Sequence, residues 1–130
     1  MKAIKIIVLL LPLIVLVLPP AGYADQVGRP VLLSPNSEEV VLTGQDTLEF
    51  RWLADLRHYN NRDYYNFRIY KGYQMIADTL IFKQKLPAHT GHFTMDTSIF
   101  ANGQIYTWAV RHIVGIEKSD KGHHSFTAVK

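Results

Sequence analysis

Six histidines are the first residues in this chain that could do chemistry, because neutral imidazole is a common metal ligand and proton carrier. His123 and His124 are adjacent, so a strand would point them to opposite faces, where they could not easily share one ion. His89 and His92 flank a glycine and could converge, but the chain has no cysteine and no His-x-x-x-His spacing on a helix-like stretch. A closed zinc site needs about four convergent ligands, so no metal or other cofactor is expected. Ser34, Ser37, Ser98, Ser119 and Ser125 offer hydroxyls, yet none stands in a Gly-x-Ser-x-Gly elbow. Asp55, His58 and Asp63 form the one grouping that could carry acid–base work, provided the 54–63 segment folds around a pocket. Asn102-Gly103 reads as a turn and not as a phosphate cradle. The expectation is a protein that is not an enzyme.

The remaining chemistry is recognition, and it needs elements to present it. Leu48, Phe50 and Trp52 alternate with Glu49 and Arg51, the period-2 pattern of a half-buried strand. Tyr65, Phe67 and Ile69 alternate with Tyr64, Asn66, Arg68 and Tyr70, and Tyr106, Trp108 and Val110 with Ile105, Thr107, Ala109 and Arg111. Further short extended pieces are expected at Pro30–Pro35, Val40–Leu42, Leu80–Leu86 and Gly91–Asp96, with His123–Lys130 closing the chain as an edge strand. Residues 54–63 and 115–122 read as loops. About seven strands with regular turn signals and no long helical pattern predict an all-β, two-sheet antiparallel sandwich. Both tryptophans fall on inward faces, which removes them as stacking platforms. The outward side of the Tyr64–Tyr70 strand, Tyr64, Asn66, Arg68 and Tyr70 with Tyr73 beyond it, is the candidate interaction face, since Tyr and Arg are common interface anchors.

The ends bound the setting. Lys2 and Lys5 precede an apolar run from Ile6 to Leu18, and Gly22 and Ala24 stand where a cut before Asp25 would need small residues. That is the layout of a secretory signal peptide over residues 1–24; an uncleaved anchor is the other reading, disfavoured by the short run and by Pro12. Residues 25–29 would then be a short lead and 30–130 one domain, secreted or periplasmic, with no stable membrane span. Losing Lys2 and Lys5 would take the formal net charge from +3 to +1. No block of Lys and Arg runs along the sequence, so nucleic acid is not expected as a partner.

Pro30 and Pro35, Trp52, Tyr65-Asn-Phe67-Arg-Ile69 and Phe100-Ala-Asn102-Gly-Gln-Ile-Tyr106-Thr-Trp108-Ala-Val110 together resemble a fibronectin type III domain, an immunoglobulin-like sandwich. The resemblance spans about residues 30–130. Phe100 and Asn102 depart from the Leu and Pro usual there. It implies that Tyr106 is a corner tyrosine whose hydroxyl bonds to nearby backbone, and that the module binds a partner. That partner is expected to be another protein or, as alternatives, a polysaccharide, with a small enzyme or inhibitor built on 54–63 as a third reading. Edge strands at 30–35 or 123–130 would favour assembly.

Overall fold

The computed structural model describes residues 27–57 and 62–130. The signal-peptide expectation for residues 1–24, the first residues of the lead, and His58 lie outside the described residues.

Among the described residues nine strands form two sheets: β1 (Leu32–Ser34), β2 (Glu39–Val41), β3 (Thr47–Trp52), β4 (Tyr64–Lys71), β5 (Leu80–Pro87), β6 (His92–Asp96), β7 (Ile105–Val114), β8 (Glu117–Lys118) and β9 (Gly122–Val129). The small sheet runs β1-β3-β6; the large one runs β2-β9-β7-β4-β5, with β8 paired to β7. All pairings are antiparallel except β2 with β9, which is parallel.

The period-2 strands fold as their patterns dictate. Phe50 and Trp52 from the small sheet meet Tyr65, Phe67, Ile69, Tyr106, Trp108 and Val110 from the large one in a single core. Trp108 is fully buried. Its neighbour Phe50 lies 5.0 Å from it between ring centroids and 5.0 Å from Phe67, the latter edge-on, within the 4.5–7 Å range where tilted aromatic pairs add to their burial. The Trp108 indole N–H donates to the Pro35 carbonyl at 3.1 Å. This bond ties the start of the chain to the middle of the core and satisfies a donor that burial would otherwise penalise.

Several expectations need correcting. Among the described residues the sandwich has nine strands and not about seven: β2 falls at the expected Val40–Leu42 piece, while the two-residue β8 lies inside the expected 115–122 loop and is too short to show any alternation. His123–Lys130 does not form an edge: β9 is flanked by β2 and β7. Its Gly122 passes against the Pro30 carbonyl so closely that a Cβ there would collide with it, so Pro30 packs directly on the start of β9. The 115–122 loop contains β8, and residues 77–79 form one 3-10 turn before β5. The Asn102-Gly103 turn is as expected: Gly103 has φ +81°, a backbone region open to glycine at no steric cost. The Tyr106 hydroxyl accepts the Ala101 N–H at 2.8 Å. Among the described residues, no helix is long and apolar enough to cross a membrane.

Candidate functional site

The outward face of the large sheet is assembled by register. Across β4, Asn66 stands between Lys85 of β5 and Arg111 of β7, and Arg68 between Lys83 and Ala109. Paired residues in neighbouring strands point to the same side of a sheet, so five strand-borne side chains gather there: Lys83, Lys85, Asn66, Arg68 and Arg111. Lys121, at the entry to β9, joins them. The strands β4, β5 and β7 contain no Asp or Glu at all.

Three of these cations, Arg68, Arg111 and Lys121, line a small notch with Asn66, and Ala109 lies beneath. Its volume is about 20 Å³. Ala109 is buried and occupies a position flanked on β4 by Arg68; the small side chain between long ones makes the depression. Among the described residues, none of the three cations forms an ion pair: the pairs present are Arg29–Asp120, Arg51–Glu49 and Arg57–Asp55. The Arg111 Nε is buried with no hydrogen-bond partner. An orphaned donor of that kind costs the desolvation of its N–H.

The candidate tyrosines divide. Tyr64 is half-buried, with the Lys85 Nζ 4.1 Å above its ring, a cation–π contact. Asn66 and Arg68 are half-buried on the same face. Tyr70 faces outward as the alternation predicts, beside Thr107 and 5.7 Å from the Lys121 Nζ, but it is only 2 % exposed. It therefore props the face and offers no ring to a partner, which corrects its place among the contact residues. Tyr73, past the end of β4, is 69 % exposed.

At one end of the sandwich a second group of polar residues gathers, which the spacing of Asp55, His58 and Asp63 anticipated in part. Asp55, Tyr65 and His112 border an open pocket of about 250 Å³, and Asp63 is buried close by. His112, which sequence reasoning passed over, stacks on Tyr65 at 4.4 Å and 12°. Burial lowers its pKa from the usual 6.5, against the opposing pull of Asp55 and Asp63. The Tyr65 hydroxyl accepts the Asp55 N–H at 2.9 Å; burial raises that phenol's pKa, the bond opposes this, and the Asp55 charge adds to it. Arg57 grips the Asp55 carboxylate through Nε and Nη2 at 3.0 and 2.9 Å. His112 is only 1 % exposed. The Asp55 N–H on the Tyr65 hydroxyl holds the start of β4 to the segment after β3.

The other expected chemistry is dispersed. His123, outward, pairs in register with Ala109, whereas His124 pairs with Trp108 and its Nε2 bonds to the Ser37 carbonyl at 2.8 Å. His89 and His92 sit on the surface. Among the described residues, no group of three or more His, Asp or Glu could hold a metal ion. Trp52 and Trp108 are both buried. No protein-family model matches the chain, and no curated protein matches it.

Proposed function

We propose that this chain is an exported, non-catalytic binding module of the fibronectin type III kind, and that it contacts another protein through the outward face of β4 and its neighbours. The observation that carries this reading is the unneutralised face itself: cations and a tyrosine held on rigid strands, with no acid on β4, β5 or β7. A charged surface left uncompensated by its own chain costs stability through self-repulsion, and it gives orientation and speed to association with a complementary partner. The order β1-β3-β6 against β2-β9-β7-β4-β5 and the Tyr106 hydroxyl on the Ala101 N–H support the type III reading. Burial of both tryptophans leaves little aromatic surface for stacking on sugar, which favours protein over polysaccharide. Export rests on the layout of residues 1–24.

The experiment is affinity capture from the native cell envelope with protein recovered from expression of the full-length chain. Beside it runs a Tyr64→Ala/Arg68→Ala/Tyr73→Ala variant. Capture of a defined protein by the first and its loss in the second supports the reading; equal capture by both removes this face as the contact. N-terminal sequencing of the same protein checks export: the expected first residue is Asp25, and Met1 would contradict cleavage.

A further inference from the structure

The notch over Ala109 has features that the general reading of a binding face does not require. Two guanidinium groups and one ammonium converge on it from three elements: Arg68 from β4, Arg111 from β7 and Lys121 from the β8–β9 turn. Like charges brought together on one surface repel, and nothing among the described residues offsets them there by an ion pair. The Arg111 Nε adds a buried donor with no acceptor. A ligand that brought acceptor oxygens and negative charge would remove both costs at once.

Size narrows the ligand. One water-sized sphere needs roughly 10–15 Å³ by the same kind of measure. The notch, at about 20 Å³, admits only the end of one small acidic group. Guanidinium forks match carboxylate and phosphate oxygens alike, and the Asn66 amide can donate alongside them. Lys83 and Lys85 extend the positive surface along β5, beyond the notch.

We propose that this notch receives an Asp or Glu side chain from an acidic segment of a partner protein, with neighbouring acids of that segment lying over Lys83 and Lys85. The proposal rests on the binding reading given above. It makes Arg111 and Ala109 specificity-determining residues, one by charge and the other by leaving room.

The test is titration of isotope-labelled protein, followed residue by residue by NMR, with a short oligoglutamate peptide. The same titration is run with oligoglutamine of equal length, a single-stranded DNA oligonucleotide and inorganic phosphate. Oligoglutamate should saturate shifts at Asn66, Arg68, Ala109, Arg111 and Lys121. Arg111→Gln should weaken it about tenfold, as expected when one partner of a close interfacial charge pair is lost. Ala109→Val should weaken it comparably with every charge kept, and Arg51→Gln, on β3 in the small sheet, should not weaken it. If Ala109→Val or Arg111→Gln does not fold, Lys121→Gln takes its place. The proposal is overturned if oligoglutamate fails to saturate, if Arg51→Gln weakens binding as much as Arg111→Gln, or if phosphate or the oligonucleotide binds the notch more tightly. Failure here with capture still dependent on Tyr64, Arg68 and Tyr73 would remove the acidic ligand alone; loss of that dependence would remove the broader reading too.

Discussion

Strand β4 presents two surfaces that differ in kind. Its inward residues Tyr65, Phe67 and Ile69 are buried in a core of rings from both sheets. Its outward residues Tyr64, Asn66 and Arg68 are half-buried among cations contributed by β5 and β7. One backbone serves both because side chains alternate across a strand. The inward surface is closed in packing: its buried rings touch one another and the Trp108 indole finds its acceptor within the chain, and the one orphan donor among those rings is the Trp52 Nε1. The outward surface is open in charge and in hydrogen bonding, with the Arg111 Nε lacking an acceptor and three neighbouring cations lacking acids. Fold is written on one side, and the proposed contact lies on the other. Substitutions on the two sides should therefore fail in different ways.

The largest effect is expected on the inward side. Trp108→Ala should destabilise the sandwich by about 3–5 kcal/mol, the usual cost of deleting a buried large aromatic, and chemical denaturation should show it directly. Tyr106→Phe is a finer cut. It removes the hydroxyl that accepts the Ala101 N–H and should cost about 1 kcal/mol, the net worth of one such bond. A loss near zero would mean that water serves that N–H equally well. At the sandwich end, the lowered pKa of His112 makes stability pH-dependent. The unfolded imidazole binds its proton near pH 6.5 and the folded one only below that, so stability is complete above pH 6.5 and falls as the pH drops towards the folded value. Denaturation midpoints between neutral and mildly acid pH should show this slope, and His112→Phe should flatten it. The smallest effect on stability belongs to the outward side. Arg68→Gln should change it by no more than about 0.5 kcal/mol, as surface substitutions generally do, and any change should be a gain from reduced repulsion. A large loss there would break the division between the two faces.

The core was legible in the sequence because its strands are long enough to show their period: Thr47–Trp52 and Tyr64–Lys71 bury alternate residues over most of their length, whereas Ile105–Val114, flanked by strands on both sides, is buried on both rows from Tyr106 to Val110. Strands β1 and β2 were expected from the prolines and turn residues around them, but β8 was not, since two residues carry no period, and the parallel pairing of β2 enclosing β9 depends on contacts remote in sequence. Tyr70 shows the limit of alternation, which gives the side a residue faces and not what covers it. The cationic face escaped a reading of charge along the chain because Arg68, Arg111 and Lys121 are far apart in sequence and meet only through the register of β4, β7 and β9. Two signals were present all the same: the absence of acids from three long strands, and an alanine on the outward row of β7 opposite an arginine of β4.

The division between faces can be tested in one measurement, oxidative footprinting of side chains in the protein alone and in its captured complex. Tyr64 and Tyr73 should become protected on binding, while Leu56 and Ile116, exposed at 72 % and 98 % in the segments after β3 and between β7 and β8, stay as reactive as before. Protection of Leu56 or Ile116 with Tyr64 and Tyr73 unchanged would contradict it and move the contact off the β4 face.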